Sequence, residues 1–205
     1  MVAPIDESNL VDTLPAFRPY RYGHDVSYPW PLLGVGAIDE PGRFNDCCTF
    51  VEALTVRAFE QGAGGAFSWG KRRHGQMMIV DTKDRFSPVT AVVEAEIADR
   101  VDPDAAPGPW TLVQGWKQRW KGGHTFFLVD HDPGTDRVLL LESNKAFGLD
   151  GPGLRGLGNL RDLDGGPPPA WWTQPAVWTW AQVKQAWPYR KAARLRVQGA
   201  RWSGR

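Results

Sequence analysis

Apolar residues recur at two different spacings along this chain, and the change comes near residue 110. Upstream, Cys47, Phe50, Val51, Leu54 and Ala58 fall on one stripe of a helix. Asn45 or Asp46 is placed to cap its start, and Gly62 with Gly64 and Gly65 to close it. Cys47 shares the apolar stripe, whereas Cys48 leads toward Glu52 and Thr55 on the polar flank. A second helix is predicted from Ser87 as N-cap and Pro88 at the first helical position. Its apolar face is Val89, Val92, Val93, Ile97 and Val101, and it ends before Pro103.

From Trp110 the pattern becomes that of strands, over 110–116, 124–130 and 137–144, with the turn residues of 131–136 joining the last two as a hairpin. Thr179 and Gln182, three apart, predict a capping box before a short helix over 180–187, and 190–197 reads as a closing strand. Residues 1–44 show little periodicity and read as an irregular arm. Residues 148–170 are rich in Gly and Pro and too long for a plain connection, so they read as a functional lid or a disordered segment. With no repeat and no domain-sized linker, residues 1–205 form one α+β domain in which an N-terminal cysteine-bearing helix packs on an antiparallel sheet.

Composition narrows the function classes. The 42% apolar and 23% charged residues are ordinary for a globular chain, but 11 Trp are not, and large amphipathic rings suit both cores and binding grooves. No stretch has the uninterrupted apolar length of a membrane span, and the start lacks a basic and apolar leader. The expectation is a protein made and kept in the cytoplasm unless a dedicated machine exports it, with no membrane partner. Two cysteines adjacent in sequence cannot staple distant parts of a fold, so the thiols are expected to be free. Net charge is +1, yet every acidic residue lies at or before Asp164, and Lys184, Arg190, Lys191, Arg194, Arg196, Arg201 and Arg205 follow. This basic end reads as a solvated strand facing the acidic body, and nucleic-acid binding is not inferred from it.

The candidate chemistry begins with Cys47. The first N–H groups of a helix carry positive partial charge, which stabilises a thiolate. His124 follows Gly122 and Gly123 on one arm of the hairpin, and Glu142 and Asn144 close the other. If the turn is centred on Gly134, position 124 lies opposite 144 and the three side chains share a face. A slip of one residue would put Glu142 and Asn144 on the opposite face. With that register, Cys47 is the nucleophile, His124 the base, and Asn144 or Glu142 the residue that orients the imidazole. The N–H of Cys47 or Cys48 is available to an oxyanion. The spacings fit no usual zinc pattern, and no metal or cofactor is called for.

These residues resemble a known group. The run DCCTFV at 46–51 looks like the Asp-Cys-Ser-Gly-Phe-Val signature of NlpC-type cysteine peptidases, and GGHTFFLVD at 122–130 like their Gly-His strand motif. Glu-Ser-Asn at 142–144 is similar to the Glu-x-Asn of CHAP amidases, the cysteine- and histidine-dependent branch of the same papain-like superfamily. The resemblance implies a papain-like, NlpC-like fold, with Cys47 as nucleophile, His124 as base, and Glu142 with Asn144 as the orienting pair. The expected activity is amide-bond hydrolysis through an acyl-enzyme. The implied substrate is a peptide or a peptidoglycan stem peptide, and an exported effector or lytic enzyme would bring a secretion machine or an immunity protein as partner. Cys48 and Thr49 stand where the motif has Ser-Gly.

Other readings of the same residues stay open. The constellation also suits a cytoplasmic deamidase or acyltransferase, or a non-catalytic binding module on the same fold. Cys48 reads as packing, His131 as a solvated turn residue, and His24 and His74 as polar residues with no nameable partner. Lys71, Arg72 and Arg73 read as surface. Trp116 and Trp120 suit either a substrate groove or core packing, and Trp171, Trp172, Trp178, Trp180 and Trp187 either the anchoring of a lid or the core.

Overall fold

The computed structural model describes residues 4–17, 21–22, 44–45, 47, 48, 50, 51, 53–55, 58, 88–118, 121–144, 151–156 and 178–199. The chain is α+β, built on an antiparallel sheet. Its centre is the three strands expected from alternation and turn chemistry: β5 (Thr111–Gln118), β6 (Lys121–Asp132) and β7 (Arg137–Asn144). They are flanked by β4 (Ala98–Val101), β8 (Gly151–Gly156), β9 (Trp178–Thr179) and β10 (Tyr189–Leu195). The order is β4-β10-β5-β6-β7-β8, with β9 also on β7. Two two-stranded parallel pairs complete the strands: β1 (Ile5–Asp6) with β11 (Val197–Gln198), and β2 (Arg21–Tyr22) with β3 (Phe44–Asn45).

Both faces of the sheet are covered, which is why its central strands read as near-continuous apolar runs. On one face Leu112, Phe127, Leu139 and Leu141 join Phe50, Val51, Leu54 and Ala58, which belong to a helix described within 47–58, here called the cysteine helix. Helix α1 (Glu7–Thr13) and helix α2 (Pro88–Glu94) add Leu10, Val89 and Val92 to the same cluster. On the other face Val113, Phe126, Leu128 and Leu140 pack under Trp180, Val183 and Trp187 of helix α3 (Trp180–Ala186) and its C-cap. The capping box of α3 forms on both arms: Gln182 N donates to Thr179 Oγ1 at 3.2 Å, and Thr179 N to Gln182 Oε1 at 2.9 Å.

Three expectations change. The arm over 1–44 is not irregular throughout: Asp6 caps α1 by accepting from Ser8 N, and Ile5, Leu10, Leu14 and Phe17 enter the core. Too few residues alternate there for periodicity to show. Trp110 Nε1 donates to the buried Glu7 carboxylate at 2.7 Å, joining α1 to the sheet. Replacing Glu7 with Ala removes that acceptor and is expected to cost about 1–3 kcal/mol. The urea midpoint reads the loss, and Glu7→Gln should recover much of it.

The helix from Pro88 stops at Glu94 rather than running to Val101, because Glu96 takes a left-handed conformation (φ 60°) and Ala98–Val101 pairs with β10 as an edge strand. Within the segment read as a lid, 151–156 is a strand along the whole of 139–144, with Pro152 tolerated because β8 is at the sheet's edge. Asn45 is a strand residue paired with Tyr22, and its side chain lies outside those described. Asp46, Ser87, the Gly run at 62–65 and residues 157–170 lie outside the described residues. The basic end is tied to the acidic body by ion pairs, Arg196 to Asp99 at 2.6 Å and Arg190 to Asp104. Among the described residues no helix is long and apolar enough to cross a membrane.

Candidate active site

Register places the site. Before the hairpin turn, β6 and β7 pair as Phe127 with Leu141 and Leu128 with Leu140, which carried three residues on sets position 124 opposite 144. Nearer the turn the pairing is Asp130 with Leu139 and Asp132 with Arg137, one residue out of step. The difference is a β-bulge at Val129. The turn is therefore not centred on Gly134 as expected. Its own register, continued without the bulge, would set 124 opposite 145 and send Glu142 to the other face. The extra residue restores the parity on which the site depends.

Given that parity, His124 Nε2 hydrogen-bonds Glu142 Oε2, an ion pair when the imidazole is protonated. Glu142 is fully buried, and such a carboxylate stays ionised only beside a cation. Asn144 Nδ2 donates to the same Oε2 at 3.5 Å, a long contact, so Glu142 is the residue that meets the ring and Asn144 stands behind it. Cys47 hydrogen-bonds the imidazole as well. With Nε2 on Glu142, Nδ1 is the nitrogen left to face the sulfur. Burial pushes the imidazolium toward losing its proton, the largest single influence. Negative charge on Cys47 and on Glu142, with a hydrogen bond to each, outweighs it and raises the His124 pKa to about 10.

Cys47, His124 and Glu142 thus form one chain of alternating charge. Cys47 is the first described residue of the cysteine helix, where orphan N–H groups favour an anion. Cys48 is not on a polar flank: it is buried, and its Sγ shares a hydrogen bond of 3.2 Å with Thr125 Oγ1, while Thr55 is buried too and bonds Val51 O at 2.8 Å. Helix phase separated the two thiols by burial, but the structure separates them by partner. One faces an imidazole, the other a hydroxyl.

Two residues at the site escaped sequence reasoning. The Trp187 ring stacks on His124, centroids 5.5 Å apart and planes 25° apart, and covers one side of the imidazole. It approaches because the strand neighbour of His124 is Gly115: a Cβ there would lie 2.5 Å from Trp187 Cβ. An isolated glycine inside a strand is the available signal for such a close approach. Trp116 and Trp180 are buried, so among the described tryptophans packing prevails over an open groove, and Lys191 Nζ lies 5.7 Å over the Trp116 ring. Burial draws the Lys191 pKa below its usual value.

His131 is not solvated as expected: its Nε2 lies 3.1 Å from Asp136 Oδ1, and Asp136 also accepts from Ala181 N at 3.0 Å. Trp120, Trp171, Trp172, His24, His74 and the basic run 71–73 lie outside the described residues, as does the side chain of Trp178. Among the described residues no group of three or more His, Cys, Asp or Glu is placed to hold a metal ion. Comparison with protein-family models, with curated proteins and with solved structures finds no match to this chain.

Proposed function

We propose that this protein is a cysteine-dependent amide-bond hydrolase of the papain-like type, with Cys47 as nucleophile, His124 as acid and base, and Glu142 as orienting anion. The observation that carries the reading is the hydrogen-bonded chain from Cys47 through His124 to a fully buried Glu142. A structural histidine needs one partner. Two anions beside one ring instead build a thiolate–imidazolium pair, which is a primed nucleophile with its proton donor beside it. A cysteine helix followed in sequence by an antiparallel sheet, together with the DCCTFV, GGHTFFLVD and Glu-Ser-Asn runs, supports the NlpC/CHAP branch.

The chemistry follows from the atoms in place. The Cys47 thiolate adds to the amide carbon, and the carbonyl π pair moves onto oxygen, where N–H groups at the helix start can receive the charge. Nδ1–H of His124 protonates the leaving nitrogen, the C–N bond breaks, and an acyl-thioester remains. The neutral imidazole then takes a proton from water, whose oxygen adds to the thioester. Collapse expels the thiolate and restores the pair. Glu142 keeps the ring in one orientation and stabilises its cationic form throughout.

By resemblance the substrate is the stem peptide of peptidoglycan, met after export as an effector or lytic enzyme. The test is incubation with purified peptidoglycan and with a panel of protein amides, the products followed by mass spectrometry. New amine and carboxylate ends in the wild type and none in Cys47→Ala support the reading. Cleavage that survives Cys47→Ala sinks the nucleophile assignment, and acyl products joined to amines redirect it to a transferase. No product from any substrate favours a binding module.

A further inference from the structure

We infer that Arg190, acting through Trp187, is a positioning residue for the His124 imidazole. The inference builds on the proposed hydrolase site but concerns how its histidine is held. Arg190 pairs with Gly115 on β5 and Gly115 with His124 on β6, so the three lie in one row on one face of the sheet. At the usual strand spacing Arg190 and His124 are about 10 Å apart, with Gly115 between them. Trp187 lies along this row. Its Cβ is over Gly115, its ring is on His124, and its carbonyl oxygen accepts from Arg190 Nη1.

The guanidinium is built into the end of α3. Nη1 also donates to Lys184 O at 2.8 Å, and Nη2 pairs with Asp104. The last carbonyls of a helix lack intrahelical partners, and the planar fork of an arginine can bind several acceptors at once. A helix of seven residues is marginal by itself. The N-terminus of α3 is tied to Asp136, whose carbonyl and carboxylate accept from Trp180 N and Ala181 N, and its C-terminus is tied by Arg190. Pro188 follows Trp187 and cannot continue the helix. Where the Trp187 ring rests is therefore set by what Arg190 grips.

The ring keeps water from one side of the imidazole, and a dry surround strengthens the attraction of His124 to its anions. Among the described residues the charged groups around it are Glu142 on β7, Cys47 on the cysteine helix, and Arg190 on β10 with its charge balanced by Asp104. Loosening Trp187 admits water, which relieves the burial penalty but also weakens the attractions that together outweigh it, so the imidazole would titrate at lower pH, toward its ordinary value. Deleting the Arg190 charge while leaving Trp187 in place would move the titration the other way. The two effects have opposite signs, and the experiment separates them.

The test is an NMR titration of the His124 ring from pH 5 to 11 in the full chain, labelled with 13C-histidine, for wild type, Arg190→Gln and Arg190→Lys. Lys keeps the charge but not the fork. The expected order of midpoints is wild type, then Arg190→Lys, then Arg190→Gln, the last lower by about one pH unit or more. Iodoacetamide labelling of Cys47 at pH 6 should slow, by up to about tenfold, in Arg190→Gln, as the attraction between thiolate and imidazolium weakens. A folded Arg190→Gln whose midpoint is unmoved or higher overturns the inference. If that variant does not fold, Arg190→Lys decides alone: a lower midpoint supports positioning, and a wild-type midpoint overturns it. No substrate is involved, so the titration can succeed where the amide panel fails, and the reverse.

Discussion

Cys47→Ala is expected to abolish amide cleavage, lowering kcat/KM by at least about a thousandfold, while leaving the fold intact. The size follows from the chemistry: without sulfur at this position no acyl-thioester forms, and the remaining N–H groups can only bind the carbonyl. Stability should fall by about 1–3 kcal/mol, because a small buried side chain and one of the two anions beside the imidazolium are lost while Glu142 remains. Cys48→Ala is the matched control. It removes the hydrogen bond to Thr125 but no partner of His124, so cleavage should persist within a few-fold. If Cys48→Ala and Cys47→Ala exchange these outcomes, the nucleophile is the second thiol, and the partner assignment is wrong.

Glu142→Ala is expected to carry the largest cost to the folded state. Removing one member of a buried ion pair strands the other, at about 3–5 kcal/mol, which is much of the stability of an ordinary domain. Urea denaturation at pH 6 measures it, and Glu142→Gln, which keeps the shape and an acceptor, should lose less. The pH dependence has a definite sign. His124 holds its proton to about pH 10 when folded but releases it near 6.5 when unfolded, so its contribution is full below pH 6.5 and is lost as pH rises toward 10.

Cys47 offsets part of this slope. Where the folded chain holds a thiolate and the unfolded chain a thiol, one proton is given up for the one gained, up to the ordinary thiol value of about 8.5. Wild-type stability should therefore be nearly flat from pH 6.5 to 8.5 from this pair, and fall between 8.5 and 10. Glu142→Gln should remove much of that fall, since one of the two anions that hold the proton on His124 is gone. Equal decline in both proteins over pH 8.5 to 10 would exclude Glu142 from the coupling.

Much of this was legible before any coordinates. The hairpin over 124–144 was readable because the turn 131–136 is dense in Asp, Pro and Gly, and Asp132 there accepts from Gly134 N at 2.9 Å and from Thr135 Oγ1 at 2.7 Å, as turn residues do. The α3 capping box was readable because both its donors and both its acceptors are local. Ala98–Val101 was misread as helix because Val93, Ile97 and Val101 keep helical spacing, and only the pairing of β4 with β10 overrides it. Arg190 was counted as one cation of a basic end. Nothing local marks it as the clamp on α3, since its partners Asp104, Lys184 and Trp187 come together only through the sheet.

The sequence by itself determined the ingredients: a thiol at a helix start, a histidine after two glycines, a Glu-x-Asn at the end of the next strand, and the antiparallel hairpin that brings the last two near each other. Local chemistry sets these, through caps, turn residues and strand propensity. Tertiary structure decided whether they meet. Residues 126–129 are apolar on both faces of a sheet buried on both sides, so no alternation fixes which way His124 points. The bulge at Val129 fixes it, because one added residue exchanges the faces of everything beyond it while Val129 and Leu128 still find apolar cores on opposite sides.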